Sequence, residues 1–254
     1  MKPIIFLLIV VSVAVGQTGL RKDRQSLVDF RNNNDSAPVK IAPATQRAVL
    51  SKLFRRYLTD ANQCKADFDM GNGADPLAAA RKAGQMVPSI EDMATGSFTA
   101  PGQTQTAYVI FVAECNASHA DNFGTRRVAI FSGQQLVADV DADFMMDIVR
   151  KTDLNGDGID ELLMRSSYMG QGTLTEMATL VSFQNGRRKV LQDFGTVVED
   201  SCAAGFQGSA SKASVLYAPA FAPGLMPKLI QENYVASCRN TKRWKFVSTG
   251  MMQQ

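Results

Sequence analysis

Histidine is nearly absent from this chain: His119 is the only one in 254 residues. It lies in Asn116-Ala-Ser-His-Ala-Asp121, a polar stretch that reads as a loop between strands. A hydrolytic triad needs a nucleophile, an imidazole and an orienting acid that meet in space. Ser118 and Asp121 are neighbours in sequence only, and no nucleophile-elbow pattern accompanies them. His119 therefore reads as a solvated loop residue. Cysteine is scarce as well, and Cys64, Cys115, Cys202 and Cys238 stand far apart with no Cys-x-x-Cys, which argues against a metal cluster or a redox pair. No Gly-Lys-Ser or Gly-Lys-Thr is present to close a phosphate loop, and the glycine bend Tyr168-Met-Gly-Gln-Gly172 does not supply one. Excess charge of one sign is missing too: 27 basic residues face 24 acidic ones, a formal net charge of +3. The pairs Arg55-Arg56, Arg126-Arg127 and Arg187-Arg188 are widely separated. No strong attraction to nucleic acid or to an anionic membrane follows from that balance.

The one long apolar run, Ile4 to Val15, falls short of the roughly 20 residues that a spanning helix needs. It has the length of a signal-peptide core, with small residues at Ala14 and Gly16. Residues 1–16 therefore read as a signal peptide, the competing reading being an uncleaved anchor. Cleavage would remove only Lys2 among the charged side chains, leaving 26 basic against 24 acidic residues. Export to a periplasm or out of the cell, with no membrane span after cleavage, is the expectation.

Residues 17–42, charged and carrying Asn32 to Asn34 and Pro38, read as a flexible linker. Residues 43–93 read as a helical segment. Val49, Leu50, Leu53, Phe54, Tyr57 and Leu58 recur at helical spacing, which predicts an amphipathic helix over 44–58 covering a face or edge of a sheet. Asp75-Pro76 predicts a capped second helix towards Gln85. Residues 94–254 read as a β-hairpin-repeat domain, because the Val-, Ile-, Phe-, Tyr- and Thr-rich segments become short and are divided by Gly, Asn and Pro. Strands are predicted over 107–114, 127–132, 136–140, 161–165, 178–183, 189–194, 213–217, 229–236 and 244–248, with Asn185-Gly186 as a hairpin turn. The fold class is mainly β, built as a hairpin-repeat sheet, a sandwich or an incomplete propeller, with an N-terminal helical segment. In an exported chain the four cysteines favour structural disulfides. They allow three pairings; Cys202 with Cys238 and Cys64 with Cys115 is the expected one, free buried thiols being the alternative.

The chain's chemistry concentrates in Asp153-Leu-Asn-Gly-Asp-Gly-Ile-Asp-Glu-Leu-Leu163. Asp153, Asn155 and Asp157 place an oxygen at every second residue, and Gly158 lets the backbone turn. Calcium takes about six to eight oxygens at about 2.3–2.6 Å. Those three side chains, the Ile159 carbonyl and the Glu161 carboxylate would supply most of a shell. The helix-loop-helix calcium motif wants a Glu at its twelfth position and an apolar residue at its eighth; here these are Met164 and Asp160. The stretch resembles instead the calcium loops of FG-GAP, or integrin alpha-type (VCBS-like), repeats. In those repeats a hairpin holds the ion through alternate positions, which fall on Asp153, Asn155, Asp157, Ile159 and Glu161. Degenerate copies are read near 96–114 and 221–236, where Gly96-Ser-Phe-Thr-Ala-Pro-Gly102 and Phe221-Ala-Pro-Gly224 each precede a strand.

The resemblance implies an exported, non-enzymatic binding or interaction module for an unidentified protein or glycan partner, with calcium structural. Two other readings stand beside it. The loop also reads as a polar turn, since Asp, Asn and Gly favour turns for their own backbone reasons. The chain also reads as a secreted hydrolase using carboxylates among Asp139, Asp141, Asp143 and Glu176, the first three placed on one strand face by their alternation.

Overall fold

A computed structural model describes residues 24–32, 39–46, 48–50, 52–53, 89–113 and 125–252. Among the described residues the fold is mainly β, with a curled sheet, a second sheet and a short helix near the N-terminus. Strand β1 (Arg24–Asp29) comes first, followed by helix α1 over residues 43–46, 48–50 and 52–53. Next, β2 (Ser89–Gly96), β3 (Gln105–Ala113), β4 (Thr125–Ser132) and β5 (Gln135–Asp141) form a four-stranded sheet in sequence order. The larger sheet runs through β6 (Asp147–Thr152), β7 (Glu161–Gly170), β8 (Thr173–Ser182), β9 (Lys189–Asp200), β10 (Ala210–Pro219), β11 (Ile230–Ser237) and β12 (Asn240–Thr249). These strands also lie in sequence order, and β1 pairs with β10 as the eighth strand. Every pairing is antiparallel, so successive strands need only short connections.

Side-chain alternation explains why the central strands read as unbroken apolar runs. On β3, Ala107 and Val109 pack with Val128, Ile130, Leu162, Met164, Val181 and Phe183, joining the two sheets. The alternate residues Tyr108 and Ile110 face the other way, against Val49 and Leu53 of α1. The four-stranded sheet is thus covered on both faces, by helix on one and by the larger sheet on the other. On β7, Leu162 and Met164 belong to the inter-sheet core, while Leu163 points into a second core with Leu180, Phe194, Val197, Leu216 and Phe30. A strand buried on both faces has no polar face to alternate with.

The nine predicted strands correspond to β3, β4, β5 and β7 to β12. Asn185 and Gly186 take φ of 57° and 70° at the bend between β8 and β9, the left-handed geometry that this pair supplies. Cys202 and Cys238 form a disulfide with a Cα–Cα distance of 5.3 Å, as expected. It ties the connection after β9 to the turn between β11 and β12.

Two expectations about the N-terminal part are corrected. The stretch 17–42 is not simply a linker, because it supplies β1. Leu27, Val28 and Phe30 pack into the second core, Arg24 pairs with Glu232 at 2.7 Å, and its guanidinium stacks on Tyr217 at 4.2 Å. The segment 43–93 is not helical to its end, because β2 begins at Ser89. Strand β6 is a further element without a sequence expectation. The signal peptide 1–16, the second helix near Asp75, Asn116, His119 and the pair Cys64 and Cys115 lie outside the described residues.

Candidate metal centre

The β6–β7 hairpin closes with Thr152 paired to Glu161, which leaves residues 153–160 as its loop. Gly156 and Gly158 take φ of 72° and 81°, a region that costs an L side chain energy. These bends turn backbone N–H groups onto the acidic side chains. Gly156 N donates to Asp153 Oδ1 at 2.7 Å and Gly158 N to Asp153 Oδ2 at 2.9 Å. Asp157 N donates to Asn155 Oδ1 at 3.1 Å, and Ile159 N to Asp157 Oδ1 at 2.8 Å. Asn155 and Asp157 thus each cap the N–H two residues on. The Asn155 amide nitrogen donates in turn to Asp157 Oδ2 at 3.0 Å.

Leu154 and Ile159 are buried, so the loop is pinned to the body at both ends. Glu161, at the start of β7, is only 2 % exposed. Its Oε2 accepts from Leu154 N at 2.9 Å. Burial pushes this carboxyl up from 4.5 to about 7; the charges of Asp157 and Asp153 add to the rise, and the Leu154 N–H opposes it. A carboxyl so placed is costly to ionise unless positive charge is near.

Both neighbouring loops that the sequence singles out converge on this one. Asp160 N donates to the Ser97 carbonyl at 2.6 Å, and Ser97 N donates back to Asp160 Oδ2 at 2.8 Å. Lys151 Nζ lies 3.7 Å from the same carboxylate. Gly224 N donates to the Asn155 carbonyl at 2.6 Å. A Cβ on Gly156 would stand 2.6 Å from the Phe221 ring, and one on Gly158 would stand 3.1 Å from Pro101. Asp160 thus serves as a clip between hairpins.

Four of the five candidate ligands therefore sit in one loop, and Glu161 stands at its base on β7. Asp153, Asn155, Asp157 and Glu161 offer only oxygen and amide groups, and ionised carboxylates keep lone pairs beyond the hydrogen bonds described. That donor set, with one carboxyl buried beside two like charges, fits a hard cation. Among the described residues, no group of three or more His, Cys, Asp or Glu side chains already converges as a metal cage. The acidic oxygens face the backbone N–H groups of their own loop.

The carboxylates of the hydrolase reading are dispersed. Asp139 pairs with Arg127 at 2.7 Å on the four-stranded sheet, and Glu176 pairs with Arg165 at 3.1 Å on the larger one. Strand β5 ends at Asp141, and Asp143 takes φ of 52°; its carboxylate meets Arg188 at 2.5 Å. Asp143 therefore leaves the strand face that the alternation placed it on.

Sequence reasoning missed a cleft of about 320 Å³ that opens beside Asp153, between β1, β6 and residues 218–227. Two of its three walls come from strands that carry no strand signal in sequence, and the third includes Phe221, which the sequence placed in a degenerate copy of the loop. A scan against protein-family models, a search of curated proteins and a search of solved structures find no match to this chain.

Proposed function

We propose that Asp153, Asn155, Asp157, the Ile159 carbonyl and Glu161 bind one calcium ion, and that the chain is an exported, calcium-stapled binding module with no catalytic role for the ion. The observation that carries this reading is the loop's construction. Three oxygen-bearing side chains at alternate positions, Asp153, Asn155 and Asp157, lie between two paired strands, with Glu161 buried at the loop's base. The resemblance to FG-GAP-type loops supports the same choice of ligands.

Bound calcium would supply the positive charge that offsets the three carboxylates. The protein's own part is to hold the loop. Leu154 and Ile159 anchor it, Asp160 clips it to Ser97, and Gly224 N–H holds the Asn155 carbonyl. The ion's effect is then to fasten three hairpin connections together. Export is supported by the apolar run at Ile4–Val15 and by the Cys202–Cys238 bond, which suits an oxidising compartment. No helix among the described residues is long and apolar enough to cross a membrane.

Thermal unfolding with and without calcium tests the reading. A ligand that binds only the folded state at about 100 times its Kd stabilises by about 2.7 kcal/mol. For a domain of this size that corresponds to a Tm rise of about 5–10 °C. Asp157→Ala removes the rise if the loop is the site; an equal rise in wild type and variant places any calcium effect elsewhere.

A further inference from the structure

We infer that the cleft beside Asp153 is the ligand-binding site of the module proposed above, and that its ligand is a carboxylate-bearing saccharide. A volume of about 320 Å³ lies at the lower end of small-molecule sites, about 300–1,000 Å³, which suits a short saccharide.

The lining divides by chemistry. Arg150 lies on β6 at the cleft and is exposed, with no salt bridge or hydrogen bond to its side chain among the described residues. Arg24, on the opposite wall, already has its charge answered by Glu232 at 2.7 Å. Arg150 is thus the guanidinium with donors to spare, and its planar fork matches a carboxylate held by two parallel hydrogen bonds. Thr152 follows Arg150 by two residues on the same strand, and Gln25 lines the cleft from β1. Their hydroxyl and amide groups both donate and accept, as recognition of sugar hydroxyls requires.

Phe221 completes the site. Its ring is 62 % exposed, lines the cleft and lies against Gly156 of the calcium loop. A flat apolar ring held in place is a platform for the apolar face of a sugar ring. Leu27, Leu154, Ala218, Pro219, Ala220 and Pro227 supply the rest of the lining, which is apolar. Asp153 belongs both to the cleft and to the loop. Neutralising its charge with calcium would lower the repulsion that an incoming carboxylate meets.

The experiment is a calorimetric titration of the mature chain with digalacturonate, its methyl ester, maltose and the dipeptide Glu-Glu, each with one equivalent of calcium and again in chelator. Digalacturonate is expected to bind at least about tenfold more tightly than the ester or maltose, a difference of about 1.4 kcal/mol. Arg150→Gln should abolish that preference, and Phe221→Ala should weaken both acid and ester together. Equal affinity for acid and ester, an acid preference surviving in Arg150→Gln, binding of Glu-Glu alone, or no saccharide binding at all would each overturn the inference. The metal reading fails separately: if calcium gives no heat while digalacturonate binds through Arg150, the cleft stands and the staple falls. If calcium binds and no saccharide does, the reverse holds.

Discussion

Replacing Glu161 by Gln separates the cost of a buried carboxylate from everything else in the loop. Without calcium, the Glu161 carboxyl is raised from 4.5 to about 7 in the folded chain, chiefly by burial. Well below pH 4.5 it is protonated in both folded and unfolded states and costs nothing. As pH rises to 7 and beyond, the unfolded chain ionises first, so the folded state loses stability relative to it. The displacement from 4.5 to about 7 spans about 2.5 pH units; at about 1.4 kcal/mol per unit, the loss approaches about 3 kcal/mol by about pH 8. The neutral amide of the Glu161→Gln variant carries no charge and suffers no such loss. The assay is urea denaturation in chelator at about pH 4.5 and about pH 8, comparing the two proteins. Asp92 is also raised by burial, so the informative quantity is the difference between wild type and variant, in which that shared contribution cancels. Wild type should lose about 3 kcal/mol more than the variant across this range. Calcium at about pH 8 should restore wild type and leave Glu161→Gln little changed, because the ionised carboxylate is what the cation offsets. Identical pH profiles for the two proteins in chelator would refute the reasoning.

Further expectations concern the frame around the loop. Gly156→Ala places a Cβ at φ of 72° and 2.6 Å from the Phe221 ring; it should destabilise by about 1–3 kcal/mol, and chemical denaturation of Gly156→Ala with Phe221→Ala should show part of the loss recovered. Replacing Cys202 and Cys238 together by Ser opens a link across 36 residues and should cost about 2–5 kcal/mol, read from urea melts under non-reducing conditions. Leu53→Ala empties a fully buried position between α1 and the four-stranded sheet and should cost about 2–5 kcal/mol, whereas a loosely attached helix would leave the melt unchanged.

Much of the sheet was legible because its strands carry apolar, branched runs. Residues such as Tyr108 to Phe111 and Leu162 to Met164 are apolar at every position because both of their faces are buried. The strands without a sequence signal each break that pattern. In β2, Glu91 and Asp92 interrupt the run; Glu91 is answered by Arg126 at 2.6 Å, and Asp92 accepts from Ile148 N at 2.7 Å. Their partners lie 35 and 56 residues away, beyond any local window. In β1 the few apolar residues are flanked by charge and asparagine, and pairing with β10 decides the conformation. β6 is short and polar at its exposed end, Arg150 and Lys151.

The candidate site divides in the same way. The spacing of Asp153, Asn155 and Asp157 and the turning of Gly158 are local properties, readable one residue after another. The burial of Glu161 is not, because it depends on strands that β7 meets only after folding. The loops at 96–102 and 221–224 stood out in sequence as degenerate copies. That Ser97, Pro101, Phe221 and Gly224 all touch the central loop follows from the way the meanders bring three hairpin ends together. Asp143 shows the opposite failure: period-two alternation put it on a strand face, but the strand stops two residues earlier and the chain turns.

The most direct measurement of the central claim is calorimetric titration of calcium into the mature, metal-free chain, with Asp157→Ala alongside. One ion per chain in wild type and none in the variant is the expected result. Heat from wild type that persists unchanged in Asp157→Ala, or no heat from either, would contradict it and leave the loop as a hydrogen-bonded turn.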